Sequence, residues 1–86
     1  MITIYTKDNC VFCTRAKTLM KSREIQYIEQ KLDEDFDLDQ FRAAFPGVKT
    51  FPLIMQNDRR IGGYVELVEA CSADPYFGKM ILNEGT

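Results

Sequence analysis

Two cysteines separated by two residues, Cys10-Val11-Phe12-Cys13, are the side chains of this sequence best suited to chemistry. A third, Cys71, stands alone, and the 86 residues include no histidine. Without an imidazole, Ser/His/Asp and Cys/His catalysis lack their base. A structural zinc site wants four Cys or His ligands, so a carboxylate would have to complete the set. An odd, low cysteine count does not suit a secreted disulfide scaffold. What survives is thiol chemistry in which the fold itself activates a sulfur. The alternatives for the pair are half of a metal site or two coincidental buried cysteines. In a strand–helix–strand setting without further ligands, redox use is the expectation.

The surrounding pattern supplies that setting. Ile2-Thr3-Ile4-Tyr5 alternates apolar and polar residues and reads as a strand. Lys7-Asp8-Asn9 reads as a loop with capping residues. From Cys10 the spacing becomes helical, with Cys13, Ala16, Leu19 and Met20 on one face and Arg15, Lys17 and Lys21 on the other. This helix ends near Ser22-Arg23-Glu24. Two cysteines three apart in a first turn share a face and can close a small disulfide. They are not equivalent. Cys10, at the helix start, lies near unpaired amides and the positive end of the dipole, and Lys7 adds a cation. Cys13 lies one turn inside, against the core. Cys10 is therefore the expected attacker of a disulfide and Cys13 the thiol that resolves the mixed disulfide.

Ile25 to Gln30 reads as a second strand, parallel to the first through a right-handed crossover. Asp33 to Asp39 holds five acids, read as a loop feeding a helix N-terminus rather than as a docking patch or metal cluster. Leu38, Phe41 and Phe45 mark a second helix, ended by Pro46-Gly47. Pro52 to Met55 is a central strand and Arg59-Arg60-Ile61 a short return strand, with Asn57-Asp58 between them as a turn. Tyr64, Leu67, Val68 and Cys71 form the apolar stripe of a third helix that ends by Asp74-Pro75. Cys71 reads there as a small buried hydrophobe. Tyr76 to Leu82 reads as a last helical turn or two, packed by Tyr76, Phe77 and Met80. The order β-α-β-α-β-β-α predicts an α/β fold: one domain, residues 1–86, with a four-stranded mixed sheet and helices on both faces.

Composition closes off other classes. Hydrophobic residues at 45% and charged residues at 28% suit a globular domain. A net charge of −2 disfavours a general nucleic-acid binder. No apolar run approaches the roughly 20 residues that cross a bilayer. The start, Met1 to Tyr5, shows no signal peptide, so the expected location is cytoplasmic, and nothing demands more than a monomer.

Three ordered segments resemble the glutaredoxin family, a branch of the thioredoxin fold. They are Tyr5-Thr6-Lys7 ahead of Cys10-Val11-Phe12-Cys13, then Thr50-Phe51-Pro52, then Ile61-Gly62-Gly63-Tyr64. Together they span about residues 1 to 72. The resemblance implies a glutathione-dependent thiol–disulfide oxidoreductase acting on protein disulfides and glutathione mixed disulfides, with ribonucleotide reductase as a candidate client. Carried over by position, Cys10 is the nucleophile and Cys13 the resolving thiol. Lys7 faces a glutathione carboxylate, and Phe12 walls the site. Thr50 and Phe51 lead into Pro52, the implied cis proline, and the Phe51 backbone pairs with the cysteinyl moiety. Gly62-Gly63 reads both as a simple strand-to-helix turn and as the place where glutathione approaches the helix, whose amides receive the γ-glutamyl carboxylate. Val65 and Glu66 stand where the family carries polar or acidic residues, so only Glu66 keeps an acid for the γ-glutamyl amine.

Other departures are Val11 between the cysteines, Leu53 after the proline, and Asp39 where a Gln or Arg often faces the glycine carboxylate. Arg42 or Lys49 is available to compensate. Two further readings follow from the resemblance. One is a thioredoxin-like hydrogen donor reduced by a flavoprotein. The other is a carrier in which two protomers and two glutathiones hold an iron–sulfur cluster through Cys10, against which the presence of Cys13 argues.

Overall fold

Alternating burial along the first strand sets the architecture. In β1 (Ile2–Thr6), Ile2, Ile4 and Thr6 are buried on one face while Thr3 and Tyr5 point to the other. The computed structural model describes residues 1–78. On the first face Ile2 and Ile4 join Ala16 and Met20 of α1 (Val11–Ser22), Ile54 of β3 (Leu53–Gln56), and Leu67 and Cys71 of α3 (Tyr64–Ala73). Tyr5 meets an aromatic cluster on the second face, with ring centroids 5.6 Å from Phe41 of α2 (Leu38–Ala44), 5.5 Å from Phe36 and 5.0 Å from Phe45. Helices thus cover both faces, α1 and α3 on one and α2 on the other.

The sheet is mixed, in the order β2-β1-β3-β4. Strand β2 (Tyr27–Lys31) runs parallel to β1, with Ile2 opposite Tyr27. Strands β3 and β4 (Arg59–Gly62) are antiparallel, and the register shifts between Ile54 and Met55. Asn57, at φ 52°, forms the turn of that hairpin. Among the described residues no helix is long and apolar enough to cross a membrane.

Three expectations need correction. The second strand begins at Tyr27, not Ile25. Glu24 adopts φ 58°, the Ile25 amide donates to Met20 O at 2.8 Å, and Ile25 is spent as a plug in the core. Val68 is exposed although it belongs to the apolar spacing of α3. Leu67 and Cys71, four apart, define the buried line, and at 100° per residue Val68 falls about 80° from its centre. Residues 75–78 form a turn rather than a helix, in which Phe77 is buried and Tyr76 exposed. Met80 and Leu82 lie outside the described residues.

Candidate active site

A helix start needs an acceptor for its free amides, normally an oxygen of Ser, Thr, Asp or Asn. In α1 that position falls to a sulfur. Cys10 is the N-cap, with extended backbone, and the Cys13 N–H points at Cys10 Sγ across 3.2 Å. The Thr14 N–H bonds the Cys10 carbonyl at 3.2 Å. No acid stands in the first turn of α1 to offset the positive end of its dipole. Cys10 and Cys13 are joined as a disulfide, with Cα atoms 5.2 Å apart. Their access differs: Cys10 is half-buried at the surface, whereas Cys13 is 2% exposed.

The segment entering β3 passes beside the outer sulfur. Phe51 O lies 3.8 Å from Cys10 Sγ, and the Phe51–Pro52 peptide bond is cis. Pro52 is buried, and the Phe51 ring stacks at 4.9 Å on Phe41, so the α2 cluster anchors this segment. Thr50 is exposed at its outer edge. From the other side comes α3. A Cβ on Gly63 would lie 3.6 Å from Pro52 O, and the Tyr64 ring is 5.7 Å from that of Phe12. The Arg15 guanidinium sits 5.4 Å from the Phe12 ring centre, within cation–π range.

Of the two glycines, Gly62 is the constrained one. Its φ of 127° is open to glycine alone among common residues, and a Cβ there would meet Glu66 Cγ at 2.7 Å. Glu66 folds back because its Oε1 accepts the Gly63 N–H at 2.8 Å, capping α3. The pair of glycines therefore serves the turn and the cap. Val65, next along, is exposed.

A cavity of about 780 Å³ opens against both cysteines, lined among others by Lys7, Cys10, Cys13, Lys17, Glu29 and Lys31. Lys7 is exposed at its rim. Inside, Glu29 accepts from buried Thr6 Oγ1 at 2.6 Å and from Lys17 Nζ at 3.1 Å. Partial burial pushes Glu29 up, but the Thr6 hydroxyl, the Lys17 ammonium and the charge of Lys31 outweigh it and hold the carboxyl below its ordinary range. Lys31 bonds Asp8 at 2.7 Å and Glu34 at 3.1 Å, which raises it above an ordinary lysine. Asp8 and Lys31 also tie the loop before α1 to the end of β2.

The structure thus brings Lys7 and the Phe51 carbonyl beside Cys10, Gly63 beside Pro52 and Phe12 beside Tyr64, while Val65 and Glu66 follow in the first turn of α3. Asp39, Arg42 and Lys49 are exposed, and Asp39 lies in the first turn of α2. Thr6, Lys17 and Glu29 escaped the sequence reading. One signal was available: Lys17 stands four residues after Cys13, only about 40° around the helix, so it borders the cysteine's face instead of opposing it as the sequence reading had it.

The glutaredoxin family model matches residues 2–61 of the chain. The chain belongs to the glutaredoxin family. A probable glutaredoxin of Synechocystis is 42% identical over 67 residues, 77% of this chain and 62% of that relative, so the chain spans less than two thirds of its length. Glutaredoxin 3 of Escherichia coli is 32% identical over 66 residues, 77% of this chain and 80% of that protein. Among solved structures, the buckwheat glutaredoxin–glutathione complex superposes with a TM-score of 0.73 at 27% identity, over 84% of this chain and 68% of that one. Glutaredoxins are in general thiol–disulfide oxidoreductases, and Cys10–Cys13 is this chain's redox-active dithiol, set in the family's thioredoxin fold.

Proposed function

We propose that this glutaredoxin reduces protein disulfides and glutathione mixed disulfides through Cys10, with glutathione restoring the dithiol. The observation that carries the reading is the placement of Cys10 Sγ as the cap of α1, 3.2 Å from the Cys13 amide, with Cys13 buried behind it. Amides and the dipole favour the thiolate, which is the attacking species. Cys10 thiolate displaces one sulfur of the target disulfide, and that sulfur leaves with the electron pair and takes a proton. Cys13 then loses its proton, attacks Cys10 Sγ and releases the second sulfur, leaving the Cys10–Cys13 disulfide. Two glutathione thiols return it to the dithiol and leave as glutathione disulfide.

Glutathione fits the surroundings of the sulfur. The Phe51 carbonyl beside Cys10 offers a backbone edge to the cysteinyl moiety, Lys7 offers a cation for a carboxylate, and Phe12 closes one side. The amides at the start of α3, beside Val65, offer hydrogen-bond donors to the γ-glutamyl carboxylate. Thr50, Pro52, Gly63 and Glu66 shape these positions. A disulfide-linked client such as ribonucleotide reductase would meet the same face.

A second reading replaces glutathione by a flavoprotein reductase as the electron source. Val65 supplies no charge for the γ-glutamyl amine, and Glu66 already spends one oxygen on the Gly63 amide. Turnover of hydroxyethyl disulfide separates the two. Activity with glutathione and glutathione reductase supports the first. Activity only with thioredoxin reductase supports the second. A Cys10→Ser protein as active as the parent overturns both.

A further inference from the structure

We infer that Lys17 is a positioning residue for the resolving step: its ammonium, held on the cavity wall by Glu29, stabilises the Cys13 thiolate that attacks the mixed disulfide. The inference rests on the proposed roles of Cys10 and Cys13, and it adds a charge that acts on the second of them.

The resolving step poses an electrostatic problem. Once Cys10 is bonded to the client its sulfur is no longer an anion, and Cys13 must lose a proton of its own to attack it. Cys13 is 2% exposed, and burial disfavours a thiolate. Its backbone amide does not help, because that N–H points at Cys10 Sγ. Compensation is available on the cavity side. The charged lining there comes from Lys7 and Asp8 ahead of α1, Lys17 on α1, Glu29 and Lys31 on β2, and Glu34 beyond β2. Lys31 is taken up by Asp8 at 2.7 Å and Glu34 at 3.1 Å. Lys7 is exposed at the rim, three residues ahead of Cys10. Lys17 is the cation that α1 itself brings, one turn beyond Cys13.

Residues four apart on a helix have Cβ atoms about 5–6 Å apart. Lys17 is also fastened. Its Nζ bonds Glu29 Oε2 at 3.1 Å, and that same oxygen accepts from the buried Thr6 hydroxyl at 2.6 Å. Thr6 thus anchors Glu29, and Glu29 anchors the ammonium beside the sulfur. The Lys17 and Glu29 side chains are 29% and 32% exposed, so water does not fully screen them. The two charges act on Cys13 with opposite sign: Lys17 favours its thiolate and Glu29 opposes it.

A charge at this range changes the thiolate population by about tenfold. A scarcer thiolate is also more nucleophilic, and a Brønsted coefficient of about 0.4–0.5 leaves a net rate effect of about threefold. In the step itself the Cys13 proton passes to water and the Cys13 sulfur bonds Cys10 Sγ. The client's sulfur departs with the electron pair and is protonated.

The test follows single turnovers of prereduced protein with 4,4′-dithiodipyridine, a neutral disulfide whose released thiopyridone is coloured. The identity of the electron donor therefore does not enter. The first release reports attack by Cys10, and the second reports resolution by Cys13. In Lys17→Gln protein the second phase should slow by about threefold near neutral pH, and its rise with pH should move to higher pH. In Glu29→Gln protein the second phase should quicken by about the same factor, although that protein melts below the parent. Lys17→Arg, which keeps the charge, should follow the parent's pH profile. In a Cys13→Ser background, where only the first release occurs, adding Lys17→Gln should leave its rate as it was. A second phase unmoved by Lys17→Gln would overturn the inference. Slowing by both Lys17→Gln and Glu29→Gln would overturn it too, since that is the result a purely structural cluster gives. A slower first release on adding Lys17→Gln to Cys13→Ser would also overturn it, by assigning Lys17 to Cys10. Absence of any release from the parent would instead fell the underlying reading of Cys10, and the inference with it.

Discussion

The backbone amide of Cys13 points at Cys10 Sγ from 3.2 Å, so the residue proposed to resolve the intermediate also holds the sulfur proposed to begin it. Because the contact runs through the main chain, it survives any substitution of Cys13 that keeps the backbone N–H, as serine does. A Cys13→Ser protein should alkylate at Cys10 with the parent's rate at neutral pH and should retain single-thiol deglutathionylation. Its reduction of dithiol targets should fall by at least about a hundredfold, since resolution then depends on an external thiol. Cys10→Ser should lose both activities. Equal loss of both in Cys13→Ser would contradict the division of roles.

Glu66 caps α3 at the Gly63 amide and sits against Gly62. Glu66→Ala should cost about 0.5–2 kcal/mol of stability, as loss of a helix cap does. If Glu66 also meets the γ-glutamyl amine, glutathione KM should rise in the same protein while the single-turnover rate on hydroxyethyl disulfide holds. Thermal melts and a glutathione titration report the two effects separately.

The Thr6–Glu29–Lys17 cluster makes stability depend on pH. The folded carboxyl of Glu29 lies below the ordinary glutamate range, so its contribution is complete above that range and is lost as pH falls through the folded value. The parent should therefore melt above Glu29→Gln at pH 7. The two should converge once the pH has fallen through the lowered folded value, where Glu29 becomes protonated like its neutral replacement. A melting difference that stays constant from pH 7 to pH 3 would show that the cluster is not electrostatic.

Cys71 lies in the core beneath α3, where burial raises its thiol and only the charge of Arg23 opposes that. Cys71→Ser should leave disulfide reduction intact and lower stability by about 1–3 kcal/mol, the cost of an unpartnered buried hydroxyl. In the folded parent, alkylating reagents should spare Cys71 while labelling the reduced Cys10.

Much of this site was legible because its chemistry is local. A CxxC at a strand-to-helix junction specifies a shared helix face, a capped sulfur and a buried partner, all within four residues. The βαβ crossover, the hairpin at Asn57-Asp58 and the third helix followed from periodicity and turn residues. Long-range pairings were not legible. Thr6 and Glu29 are 23 residues apart, and nothing in either segment announces the bond. The start of β2 was misplaced because Ile25 has the composition of a strand residue, while Glu24 in the left-handed region decides where the strand begins. Val68 looked like core because a periodic stripe gives spacing but not the width that a neighbouring helix covers. The cis bond at Pro52 came from family resemblance alone, since most X-Pro bonds in folded proteins are trans.

The proposed disulfide reduction depends on Cys10 being an anion near neutrality. The most direct check is thiolate absorbance against pH in a reduced protein whose other cysteines are replaced by serine, with Cys10 alkylation rates followed in parallel. The account predicts that Cys10 ionises well below the value of about 8.5 found for free cysteine. Ionisation at or above that value would contradict it.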